Sequence, residues 1–257
     1  MQLKRHAAGT DVGLQRTNNE DNFLCSDSLN LWAVADGMGG HAAGEVASEI
    51  TNETLRKEFE RGTSLSDAIQ SAHHAVLNAA AKGIGGQGMG STIVALYSDA
   101  GKYQIAWVGD SRAYLWSPTK EKKLKQISRD HSYVQMLYES GAIAEEELST
   151  HPEKNIITQC LGSIDLDNVQ VDLAEGLWHE GERILLCSDG LSDFVSNEEM
   201  IDILSKTVDI EKAVKELIQS ALDRGGRDNI TVVLVEAPDK WTVTMQKIRG
   251  TLRKIFS

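Results

Sequence analysis

Three apolar runs in this chain each end on an aspartate that is followed by glycine or serine. They are Leu31-Trp-Ala-Val-Ala-Asp36-Gly37, Ile105-Ala-Trp-Val-Gly-Asp110-Ser111 and Ile184-Leu-Leu-Cys-Ser-Asp189-Gly190. Asp228 stands just ahead of a fourth run, Ile230 to Val235. A charged group at the end of a core strand is costly unless something compensates it. Four in one chain point to a shared compensation. Two carboxylates about 4 Å apart repel by roughly 4 kcal/mol at an effective dielectric near 20. A converging set therefore needs protons or divalent cations. Hard oxygen ligands favour magnesium, manganese or calcium over zinc, so the pattern reads as a multi-metal hydrolase site.

The runs themselves constrain the fold. Strands are expected at Thr10–Gln15, Phe23–Cys25, Leu31–Ala35, Thr92–Tyr97, Tyr103–Val108, Ala113–Trp116, Arg183–Cys187 and Ile230–Val235. Several are apolar at successive positions, which marks strands covered on both faces. Helices supply the cover. Leu65 to Ala80 carries helical spacing behind a Ser64/Asp67 cap, and Ala43 to Arg61 is a second, less cleanly striped helix. Two more are expected over about Asn197–Ser205 and Asp209–Asp223, the last stopped by Gly225 and Gly226. Strands and helices do not alternate strictly, so a doubly wound parallel sheet is disfavoured. Two stacked, mainly antiparallel sheets with helices outside both satisfy the pattern: an α+β fold.

Residues 129 to 180 are more polar, contain His131, His151 and His179, and read as a flap inserted on this sandwich. From Trp241 to Ser257, apolar residues at helical spacing alternate with Lys247, Arg249, Arg253 and Lys254. This is a basic amphipathic tail, suited to docking on its own domain or to meeting a partner or an anionic membrane surface.

Composition closes several alternatives. A net charge of −12 argues against nucleic acid as partner. A phosphorylated substrate stays open, because bound cations would set the local sign. No apolar stretch approaches a membrane helix or a secretory leader. Cys25, Cys160 and Cys187 lack zinc spacing and fit reduced thiols in a cytoplasmic protein. The sixth residue after each cysteine is Leu31, Leu166 or Asp193, never the arginine that tyrosine phosphatases need.

Further motifs flank the aspartates. In Gly13-Leu-Gln-Arg16-Thr-Asn-Asn-Glu20-Asp21, an arginine fork for phosphate oxygens precedes two carboxylates. In Asp36-Gly37-Met38-Gly39-Gly40-His41, glycines let backbone approach an ion, and a glycine carbonyl can be a ligand. Gly225-Gly-Arg-Asp228-Asn229 completes the series. The glycine-rich stretch Gly83 to Gly90 follows a helix and precedes a strand, the reverse of a phosphate loop, and is read as a turn. His73 and His74 read as surface or boundary residues of their helix.

Taken in order, from about Thr10 to Glu236, these motifs resemble the metal-dependent protein phosphatases, the type 2C serine/threonine phosphatases, and their compact bacterial members in particular. The resemblance implies a four-layer α-β-β-α sandwich, one phosphatase domain over 1–238 with a flap at about 129–175, and the tail 239–257 outside it. It implies that Asp36 bridges two Mn2+ or Mg2+ ions with the Gly37 carbonyl on one of them. Asp189 and Asp228 would complete the other ion, and Asp110 with Asp189 a possible third. Glu20 and Asp21 would hold metal-bound water or metal, and Arg16 would clamp the substrate phosphate. The implied reaction is direct hydrolysis of phosphoserine or phosphothreonine by a metal-bridging hydroxide, opposing a serine/threonine kinase, in a monomer. Many relatives have a histidine proton donor where this chain has Met38. His41, three residues on, is the replacement, unless it merely caps a helix and metal-bound water serves. Two other readings remain: a non-catalytic scaffold, which loss of metal ligands would mark, and a hydrolase of small phosphoesters.

Overall fold

The structure, a computed structural model, describes residues 5–40, 43–121 and 123–239. The tail from 240 onward and His41 lie outside the described residues.

Alternation along each strand builds the layers. The first sheet has the order β1 (His6–Asp11), β11 (Ile230–Glu236), β10 (Arg183–Cys187), β7 (Arg112–Trp116) and β8 (Leu124–Gln126). The second has the order β2 (Asp21–Ser26), β3 (Leu31–Met38), β5 (Ile93–Asp99), β6 (Lys102–Val108) and β9 (Asp172–Leu177), with the short β4 (Gly90–Ser91) on β3. All of these pairings are antiparallel. In β10, Ile184 and Leu186 face the second sheet and pack with Trp32, Val34, Ile105 and Val233. Leu185 and Cys187 face the other way, onto α5 (Asn197–Lys206) and α6 (Ile210–Asp223). Ala33 and Ala95 of the second sheet likewise meet α1 (Ala43–Glu60) and α2 (Leu65–Ala81). The result is the four-layer α-β-β-α sandwich, and every strand of the central layers is covered twice where its sequence is unbroken apolar.

Local chemistry agrees with the helix bounds. Ser64 Oγ accepts from Asp67 N at 3.2 Å, and Asp209 Oδ1 caps α6 by accepting from Lys212 N at 2.8 Å. Gly225 and Gly226, both at positive φ, follow the end of α6. Residues 82–89 form the turn expected between α2 and β4. The three cysteines are free thiols. No helix among the described residues is long and apolar enough to cross a membrane.

Three expectations need correction. The first strand is His6–Asp11, not Thr10–Gln15: it pairs residue by residue from His6↔Val235 to Asp11↔Ile230. Its small and polar residues, His-Ala-Ala-Gly-Thr, carry no strand signal of their own, so the partner decides. Gly13 then turns the chain away at φ +78°. The flap ends earlier than 175, because Asp172–Leu177 is β9, paired along β6 from Lys102↔Leu177 to Trp107↔Asp172. Within the flap lie α3 (Tyr133–Glu139) and a short 3-10 turn. Finally, His73 is fully buried rather than superficial. Its Nδ1 accepts from Gly162 N at 3.1 Å and its Nε2 lies 3.0 Å from Leu166 O, tying the end of the flap to α2.

Candidate metal and phosphate site

Each sheet delivers its carboxylates to the same end of the sandwich. Asp36 stands near the end of β3, Asp110 just beyond β6, Asp189 just beyond β10, and Asp228 two residues ahead of β11. Asp21 opens β2 directly opposite Asp36 in the ladder. A cavity of about 350 Å3 is lined by Arg16, Glu20, Asp36, Gly37, Asp110, Asp189 and Asp228, together with Met38 and the flap residues Asn155 and Ile157. Thus the sequence-predicted residues other than His41 gather here, with Asp21 just beneath them.

Backbone packing leaves no freedom at the strand ends. A side chain at Gly37 would place its Cβ 2.0 Å from Gly44 O, and one at Gly190 1.9 Å from Asn229 O. Only glycine permits those approaches. They bring the start of α1 onto β3, and the short helix α4 (Asp189–Ser192) after β10 onto β11.

The electrostatics are those of uncompensated charge. Burial, reinforced by Asp21, Asp189, Asp110 and Asp228, drives the Asp36 carboxyl well above the ordinary range. Asp189 is raised well above it by burial and then by Asp110 and Asp228. Burial raises Asp21 to about 6 against hydrogen bonds that oppose the shift. Asp110 also rises to about 6, through burial and then the charge of Asp130. Glu20 is raised too, chiefly by burial. Buried oxygens lack partners here as well: among the described residues, Glu20 Oε1, Asp21 Oδ1 and Asp189 Oδ1 have no hydrogen-bond donor. Buried acceptors without donors are costly, and divalent cations would satisfy all of them at once. Among the described residues no three such side chains close on one point as a finished cage. They instead wall an open pocket, which suits hard ions that keep part of their water. The donor set fits manganese or magnesium.

Neutral residues hold this wall in place. Ser188 Oγ donates to Asp21 Oδ2 at 2.7 Å, and Thr92 Oγ1 accepts from Asp36 N at 3.1 Å. Asn229 accepts from Glu20 N at 2.8 Å, while its Nδ2 donates to Val12 O and Asn18 O, each at 2.9 Å. The loop carrying Arg16 is thereby stitched to β11. Arg16 Nη2 donates to Asp228 Oδ2 at 2.7 Å, leaving its guanidinium half-exposed at the rim. On the flap side, His131 grips the turn before Asp110: its N–H reaches Gly109 O at 2.9 Å and its Nδ1 accepts from Gly109 N at 3.2 Å. Lys154 of the flap pairs with Asp193, four residues beyond Asp189.

Sequence reasoning passed over Thr92, Ser188, Asn155 and Ile157, and quoted Asn229 without a role. Asn229 and Ser188 each carried one signal, their places beside Asp228 and Asp189. The others are ordinary residues made functional by what folds against them.

Comparison with known proteins agrees with this geometry. The sequence profile of the family described as Protein phosphatase 2C matches residues 9–224. The serine/threonine phosphatase stp of Listeria welshimeri is 38% identical over 240 residues, covering 88% of this chain and 93% of that protein. The serine/threonine protein phosphatase PstP of Mycobacterium tuberculosis is 37% identical over 241 residues. That match takes in 91% of this chain but 45% of PstP, so the chain spans about half of that relative's length. The crystal structure of the PstP catalytic domain in complex with two manganese ions superposes with a TM-score of 0.79 at 34% identity, covering 91% of this chain and 98% of that one. The chain belongs to the protein phosphatase 2C family.

Proposed function

We propose that this chain hydrolyses phosphoserine and phosphothreonine in proteins, opposing a serine/threonine kinase, with manganese or magnesium as its cofactor. The observation that carries the reading is the convergence of Asp21, buried, with Asp36, Asp110 and Asp189, half-buried, at one end of the sandwich, where their mutual repulsion and the unpartnered oxygens of Asp21, Asp189 and Glu20 call for dications. We assign Asp36 as the bridge between two ions, with the Gly37 carbonyl on one and Asp189 and Asp228 on the other. Asp110 with Asp189 is the place for a third. Glu20 and Asp21 hold coordinated water or metal. When bound, such ions supply a water that ionises near neutrality and balance charge on the phosphoryl oxygens.

The protein's own residues then have definite work. Arg16, oriented by Asp228, binds the substrate phosphate at the rim with its remaining donors. Asn229 and Ser188 fix the loops that carry Arg16, Glu20 and Asp21. Asn155 and Ile157 bring the flap to the pocket wall, where a substrate chain would pass. Met38 has no proton to give, so protonation of the leaving serine or threonine oxygen falls to His41, which lies outside the described residues, or to metal-bound water. We place the activity in a single domain over 1–238, acting as a monomer on cytoplasmic phosphoproteins.

The test is phosphate release from a phosphothreonine peptide with manganese and with a chelator. Asp36→Asn is expected to lower the manganese-dependent rate by roughly three orders of magnitude, the scale of losing a major electrostatic group. An unaltered rate in that variant defeats the bridging assignment.

A further inference from the structure

Beside the pocket, one buried histidine is devoted to a single peptide unit. β6 ends at Val108 and β7 begins at Arg112, so Asp110 sits in the turn Gly109-Asp110-Ser111. The turn lies outside both ladders, and its position depends on what grips it. Gly109 adopts φ +104°, and a Cβ there would lie 2.7 Å from the Thr92 side chain.

His131 grips one side of the turn. Its N–H donates to Gly109 O at 2.9 Å, and its Nδ1 accepts from Gly109 N at 3.2 Å. Both polar groups of the Gly109 backbone are thus taken by one buried residue. On the other side, Thr92 Oγ1 lies 2.7 Å from Ser111 Oγ and accepts from Asp36 N. Asp110 is therefore held between two fixed neighbours, and Thr92 ties them to the strand end that carries Asp36.

The two ring nitrogens are not equivalent. A nitrogen that accepts carries no proton, so the ring N–H of His131 is on Nε2. Nε2 lies 3.6 Å from Asp172 Oδ2 at the start of β9, beyond hydrogen-bond reach. Only the Nδ1 contact is made. The chain around His131 is anchored without the ring: its C=O accepts from Thr158 N at 2.7 Å, and Arg112 Nη2 donates to Asp130 Oδ2 at 2.6 Å.

We propose that His131 is a positioning residue for the metal site. Through Nδ1 it fixes the Gly109 peptide, and with it the place of the Asp110 carboxylate at the pocket wall. The inference rests on the proposed place of Asp110 in metal binding. Groups that orient a ligand in this way change metal affinity by about 10–100-fold.

Two substitutions separate this role from anchoring of the flap. Asn places an amide oxygen where Nδ1 stands, whereas Gln sets its polar end at the place of Nε2. In chelator, the Gly109 amide is expected to exchange with deuterium about tenfold faster in His131→Gln than in His131→Asn, followed by NMR. Calorimetric titration with manganese then reads the site that Asp110→Asn removes. There His131→Gln is expected to weaken binding by at least ~10-fold and His131→Asn by no more than about twofold, with the remaining sites unaltered. Unchanged manganese affinity in His131→Gln overturns the proposal and leaves the metal reading intact. Equal losses in both variants overturn it too, as does loss in Asn with retention in Gln, which gives the ring to Asp172 and the flap. An unsubstituted chain that takes up no manganese, or an Asp110→Asn chain that loses none, defeats the metal role of Asp110 and the inference with it.

Discussion

Single side chains divide between those that suffer from the fold and those that relieve it. Asp21 and Asp110 are forced from an ordinary 3.8 to about 6, in both cases mainly by burial. A carboxyl raised in this way favours folding below its unfolded pKa, and that contribution is lost as pH climbs through about 6. The metal-free chain, in chelator, is therefore expected to lose thermal stability between about pH 4 and 6. Manganese should restore it, with a Tm increment that grows over the same interval. A metal increment that does not change with pH would contradict the origin given for these shifts. His41 poses a separate question at this scale. If it protonates the leaving oxygen, His41→Ala should cut turnover of a phosphothreonine peptide by roughly 100-fold. It should barely affect p-nitrophenyl phosphate, whose leaving group needs no proton. Equal losses on both substrates would remove the acid role.

Helices, strands and loops supply the next level of control. Asp209 holds the first turn of α6, the helix that covers the outer face of β1 and β11. Asp209→Ala is expected to cost about 1 kcal/mol in a urea titration, with no change in activity. The flap is held at both ends by histidines, His131 at Gly109 and His73 at Gly162 and Leu166. Its polar composition announced an insertion, but its end was misplaced. Asp-Leu-Ala-Glu-Gly-Leu offers only a weak alternation, and β6 is what makes it a strand. The same holds for β1, which β11 recruits despite its small and polar residues. By contrast, α1, α2, α5 and α6 lie within a residue or two of where spacing and caps put them. Their signals are local, whereas those of β1 and β9 sit on another strand.

Across the whole molecule, the site is a seam. Asp36 and Asp21 come from one sheet, Asp189 and Asp228 from the other, and the core between the sheets sets their separation. Leu186, fully buried in that core, tests the dependence. Leu186→Ala is expected to lower stability by about 2–5 kcal/mol. Fluorescence and circular dichroism should still trace one shared transition, because neither sheet buries its inner face alone. Separate transitions for the two probes would mean that the sheets fold independently.

The amino-acid order was sufficient for the doubly covered strands, the covering helices and the choice of which acidic residues to single out. Each of those rests on a pattern within some twenty residues: an apolar run, a helical stripe, an aspartate where burial should forbid it. Chain folding alone decided that Thr92, Ser188, Asn229 and two histidines would serve the site, since their chemistry is common and their value lies in distant partners. It also decided that both sheets present their acids at one end. The physical reason is range. Periodicity and capping act between neighbours in sequence, whereas charge repulsion, a backbone approach only glycine allows and the pairing of a weak strand act between neighbours in space.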